Sequence, residues 1–179
     1  MKGIVFNLLE EVVSHDYGEE VWDDLLEAAT VEGAYTSLGS YPDEDLLKLV
    51  GAASSVLDLP ADEIVRWFGR SAIPLLAGKY PDFFAPHDSA RSFVLTLNSI
   101  IHPEVRKLYP GADVPVFDYD TSSEDVLVMG YESARKMCSF AEGLLEGAAS
   151  HYGERATIQQ PKCMKRGDQK CMLEISFQS

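Results

Sequence analysis

The sequence predicts an α+β fold, with helices first and a small antiparallel sheet late, on three observations. Apolar residues recur at helical spacing from Phe6 to Leu108. After that the pattern changes to short apolar runs of strand character, two of which flank a turn at Arg166-Gly167-Asp168. Finally, 179 residues of which 46% are apolar suit a single domain, residues 1–179, that can enclose a core or a cofactor.

Each element follows from local chemistry. Phe6, Leu9 and Val13, then Val21, Leu25 and Ala28, predict two helices separated at Tyr17-Gly18. Tyr41-Pro42-Asp43 supplies a helix start, and Leu46, Leu47, Val50, Ala53, Val56 and Leu57 carry a third helix. Pro60 opens a fourth over 61–80, in which Gly69, Pro74 and Gly78 predict a bend or break. Phe83-Phe84 forms an aromatic turn, and 89–109 reads as one longer helix that buries Phe93, Leu97, Ile100, Ile101, Val105 and Leu108, with Pro103 inside it. A loop over 111–115, a strand over 126–131, a helix over 135–152 and strands over 156–160 and 171–177 complete the expectation.

Composition narrows the function. Asp and Glu total 29 against 15 Lys and Arg, a net charge of -14, which repels nucleic-acid phosphates and anionic lipid alike. No apolar run approaches the roughly 20 residues needed to cross a bilayer, and the start MKGIVFNLLEEVV puts acidic residues where an export signal keeps its apolar stretch. A cytoplasmic protein is expected. The three cysteines, Cys138, Cys163 and Cys171, are odd in number, which argues against a disulfide framework.

Four histidines are present. His15, His87 and His151 stand among polar or turn residues and read as surface positions, whereas His102 ends an apolar helical run, where an imidazole nitrogen can meet a metal in a greasy cavity. Tyr131-Glu132-Ser133-Ala134-Arg135 is the second candidate. At a spacing of two along an extended segment its hydroxyls and guanidinium share a face suited to paired carboxylates. Taken singly, His102 fits a core histidine and the motif fits a solvated strand edge. No Ser-His pair or acid–base cluster suggests an enzyme.

Jointly, these residues resemble the haem nitric oxide/oxygen-binding (H-NOX) family, the bacterial relatives of the haem domain of soluble guanylate cyclase, and the resemblance runs from MKGIVFNLLEEVV to the last strand. It implies haem b, with His102 as the proximal ligand, Tyr131, Ser133 and Arg135 as the propionate-binding Y-x-S-x-R motif, and Pro115 pressing on the porphyrin. Val5, Leu9, Pro74, Leu75, Gly78, Phe140 and Leu144 match the distal wall, and none of them carries a hydrogen-bond donor side chain. Members that hold oxygen stably have a distal tyrosine where this chain has Phe140. The resemblance therefore implies a sensor that binds nitric oxide, and carbon monoxide, while withholding the hydrogen bond that bound oxygen needs.

It further implies a switch in which the iron bond to His102 breaks, the two halves rotate and the signal passes to a histidine kinase or a cyclic-di-GMP enzyme. A haem or gas-storage carrier without a signalling partner, and a redox sensor working through the cysteines, are the alternatives. Some members bind structural zinc near Cys138, Cys163 and Cys171 with a histidine where this chain has Gln160. Zinc, redox-sensitive thiols and plain packing all remain open for these three residues.

Overall fold

A computed structural model describes residues 1–179. Four long helices come first: α1 (Gly3–Tyr17), α2 (Glu19–Ala29), α3 (Asp43–Leu57) and α4 (Ala61–Lys79). Gly18, at φ 97°, takes a conformation other residues resist and separates α1 from α2. Pro42 and Pro60 precede α3 and α4, whose first turns hold Asp43, Glu44 and Asp45, and Asp62 and Glu63, against the positive end of the helix dipole. On α3 the buried face is Leu46, Leu49, Val50 and Ala53, while Leu47, Val56 and Leu57, expected to help form the apolar face, are exposed.

The predicted break in α4 does not occur. Gly69 lies where a neighbouring backbone approaches, and Pro74 is on the exposed side, where water can take over the carbonyl that a proline leaves unpaired. The predicted long helix over 89–109 is instead divided after a short helix α5 (Pro81–Phe84). It becomes α6 (Ala90–Val94), a π turn (Leu97–Ile101) and α7 (His102–Leu108). Pro103 supplies the reason: its ring would clash with the Ser99 carbonyl one α-turn earlier, and the wider π turn moves that carbonyl away. The extra residue also turns the apolar stripe, so Ile100 and Leu108 are 52% and 45% exposed rather than buried.

The late sheet has four antiparallel strands in the order β1-β2-β4-β3: β1 (Val116–Asp120), β2 (Leu127–Glu132), β3 (Arg155–Lys162) and β4 (Cys171–Gln178). Strand β1 was not expected from the sequence. Pro161 is tolerated because β3 is an edge strand with a register shift between Gln159 and Lys162. The last helix, α8 (Cys138–His151), packs along α4 and against β3. It starts later than expected because Lys136, at φ 52°, closes a turn from Ser133 that no helix can include.

Two apolar cores result. One of 16 buried residues includes Phe6, Leu9, Trp22, Leu49 and Phe68 from the first four helices; the other, of 19, joins α4, α6, α8 and the sheet through Ile73, Phe93, Leu127, Met129 and Leu173. Leu76 packs against both. No helix is long and apolar enough to cross a membrane.

Candidate functional site

His102 opens α7 directly after the π turn, with its ring 5.4 Å from that of Phe117 on β1. Its Nδ1 is fully enclosed and meets no hydrogen-bond partner. Burial, helped by the charge of Arg106 and opposed by the Pro115 backbone, holds its pKa down at about 4. The imidazole is therefore neutral near pH 7, with an enclosed nitrogen that the protein itself leaves without a partner. Metal ligation calls for a neutral imidazole in such a setting. His15 and His151 are exposed, as expected, while His87 is half-buried with its ring edge-on to Phe93.

Tyr131 is buried and lies at the end of β2, across from Cys171 on β4. Its hydroxyl accepts the Met137 amide at 3.0 Å, which leaves its own proton free to donate. Burial pushes its pKa up, against the effects of Ser133 and the Met137 amide, so the proton stays. The strand does not continue to Arg135: Glu132 is its last residue, and the turn closed from Lys136 to Ser133 brings the motif together.

Arg135 is occupied by protein partners. Its Nε donates to Asp43 at 2.7 Å, and Nη1 donates to the Asp113 carbonyl at 2.7 Å and to its carboxylate at 3.0 Å. Burial pushes the Asp43 carboxyl up, but the Met1 amine and the Arg135 guanidinium outweigh it and hold Asp43 below the usual carboxylate range. The guanidinium thus ties α3 to the motif across 92 residues of sequence and still has Nη2 uncommitted. One free phenolic proton, a nearby serine hydroxyl and a guanidinium with spare N–H groups fit a carboxylate-bearing ligand.

The apolar positions divide. Leu9 is buried in the helical core, Val5 and Leu75 pack against it, Phe140 stacks on Phe68 with ring centroids 5.0 Å apart, and Leu144 packs on the second core. Pro74 and Gly78 do not join them: both are exposed, and Pro74 borders a surface cleft with Arg70, Ser71, Gly147, Ser150 and His151. A helix turns 100° per residue, so a small shift along α4 exchanges its inner and outer faces. Its inner face holds Ala72, Ile73 and Leu76, which link the two cores. Sequence reading passed over these three, although with Phe68 and Gly69 they continue one helical stripe.

The sequence profile of the haem-NO-binding family matches residues 2–160. The chain belongs to this family, the H-NOX proteins. Among solved structures, the H-NOX protein of Shewanella oneidensis in its Fe(II)NO state is 34% identical, with all of both chains covered and a TM-score of 0.93. An unliganded Fe(II) H-NOX protein from K. algicida is 28% identical over 100% of this chain and 97% of its own, at a TM-score of 0.88. The H-NOX of Shewanella woodyi, solved in the Fe(II)CO state, is 35% identical over 98% and 94%, at 0.83. This H-NOX domain therefore has the mixed fold of a haem-based gas-binding module, and the sequence resemblance to that family holds across the whole chain.

Proposed function

We propose that this H-NOX domain senses nitric oxide selectively over oxygen through haem b ligated by His102, and signals to a partner protein. The observation that carries the reading is the enclosed, unpartnered nitrogen of His102. Tyr131, Ser133 and Arg135 would hold the two haem carboxylates, with the Pro115 segment beside His102. Val5, Leu9, Leu75, Phe140 and Leu144, together with Ala72, Ile73 and Leu76, would provide the apolar surroundings.

Haem held there would supply a ferrous iron able to take a diatomic gas, with His102 as its protein ligand. The remaining steps belong to the chain. Phe140 offers no proton, so the negative charge that develops on bound oxygen finds no donor at that position, whereas nitric oxide and carbon monoxide need none. α7, which His102 opens, has no buried side chain. Loss of the imidazole tie would release α7 and the π turn, changing the surface offered to a partner. The family resemblance supports a histidine kinase or a cyclic-di-GMP enzyme in that role.

Visible spectra of the reduced protein test this, with nitric oxide, carbon monoxide and air added to separate samples. Nitric oxide and carbon monoxide should shift the ferrous spectrum and air should not. His102→Ala should lose haem, or regain a ligand only with added imidazole, and Phe140→Tyr should acquire an oxygen complex. A stable oxygen complex in the wild type would overturn the selectivity, and a protein that takes up no haem would overturn the reading.

A further inference from the structure

Cys138, Cys163 and Cys171 come together from three places: the first residue of α8, the residue after β3, and the first residue of β4. Their sulfur atoms all lie within 4.8 Å of one another, with Cys138 and Cys163 3.8 Å apart, and the three residues are 1%, 4% and 0% exposed. Three sulfurs about 2.3 Å from a central ion stand about 3.8 Å apart in a tetrahedron and about 4.0 Å apart in a plane. The spacing admits either geometry, so the number of ligands decides.

A structural zinc site needs a fourth ligand. No His, Asp or Glu atom joins the three sulfurs. Asp168 is committed to the turn, where its carboxylate accepts the Cys163 amide at 2.7 Å. Gln160, three residues before Cys163, offers a neutral amide whose oxygen is a poor donor to zinc beside three thiolates and whose enclosed nitrogen has no lone pair to give. The three sulfurs lie away from bulk water, and structural zinc sites take all four ligands from the protein. Among imidazole, carboxylate and thiol donors the set is closed at three.

We infer that Cys138, Cys163 and Cys171 form a three-thiolate site for Cu(I), a soft cation that is satisfied by three sulfurs, and do not form a zinc site. Binding breaks three S–H bonds, forms three Cu–S bonds and releases three protons to solvent. No electron moves when the ion arrives as Cu(I). Three thiolates on a monovalent ion leave excess negative charge, and the fold meets it with positive dipoles. The Met164 amide donates to Cys171 Sγ at 3.2 Å, and Cys138 sits at the N-terminus of the 14-residue α8.

The test loads the reduced, haem-containing full chain with Cu(I) or Zn(II) in the absence of air, each against a competing chelator. It measures metal per chain and the number of sulfur neighbours by X-ray absorption at the copper edge. One Cu(I) per chain on three sulfurs is expected, with Zn(II) removed by the chelator, and Gln160→His should raise Zn(II) affinity by about 100-fold by completing a tetrahedral set. Zinc retained by the wild type as firmly as by Gln160→His would overturn the inference. So would copper bound by fewer than three sulfurs, or copper retained undiminished in Cys163→Ser. The sulfur count needs only the wild type, so it stands even if a cysteine variant fails to fold.

Discussion

The seam between α4 and α8 and the segment from the π turn through α7 are built in opposite ways. At the seam the two backbones touch: a Cβ on Gly69 would lie 2.5 Å from the Phe140 carbonyl, one on Gly147 2.7 Å from that of Arg70, and one on Gly143 would strike the Arg66 carbonyl. Arg66 also clamps Glu142 at 2.8 Å and Glu146 at 2.5 Å. In the other segment α7 buries no side chain, Ile100 and Leu108 face water, and His102 Nδ1 has no partner. The seam is closely packed, and the His102 segment is the more loosely held of the two. A sensor needs this inequality, because a ligand can displace only an element whose alternatives lie within a few kcal/mol.

The largest effect should come from breaking the seam. Gly143→Ala gains about 1 kcal/mol of helix propensity but sets a methyl against the Arg66 backbone, where neither helix can yield without parting the pair. A net loss of about 2–3 kcal/mol is expected, lowering the melting temperature by roughly 5–10 °C. An unchanged melting temperature would mean that the seam is compliant and no more tightly built than the His102 segment.

A smaller effect should follow pH. Burial pushes the Glu142 carboxyl above its ordinary range, Arg66 pulls it down and Glu146 pushes it up again. The folded protein therefore holds this proton more tightly than the unfolded chain does. Its contribution to stability is fully present below the ordinary carboxylate range and is lost as pH rises through the raised value. Glu142→Gln has no proton to lose. Denaturant melts at several pH values should show the wild type losing stability relative to Glu142→Gln on going from about pH 4 to about pH 7; the opposite slope would mean that Arg66 outweighs burial.

The sequence revealed the seam and the His102 segment unequally. The starts of α3 and α4 were legible because Pro42 and Pro60 precede acidic first turns. His102 stood out because it ends an apolar helical run, and Tyr131 because it opens a Y-x-S-x-R run, but their roles came only from the resemblance to the family. Strand β1 was missed because its signal is alternation: Phe117 and Tyr119 turn inward while Asp118 and Asp120 face solvent, and no apolar run results. Gly69 reads as a helix breaker, and Gly143 and Gly147 announce nothing, until α4 and α8 are seen side by side. Nothing local to Arg135 announces Asp43, because the pair depends on how the two halves dock.

The His102 segment offers the smallest but most discriminating test. Asn98, in the π turn, donates from Nδ2 to the Phe117 carbonyl at 2.6 Å, tying the turn to β1, an edge strand of the sheet. Asn98→Ala removes one partly solvated hydrogen bond worth about 0.5–1 kcal/mol. If the segment opens on its own, amide exchange over 97–102 should quicken by roughly 2–5-fold, while the melting temperature moves by less than about 2 °C. If exchange instead quickens equally in α4 and α8, the segment unfolds only together with the seam, and no independently movable element surrounds His102.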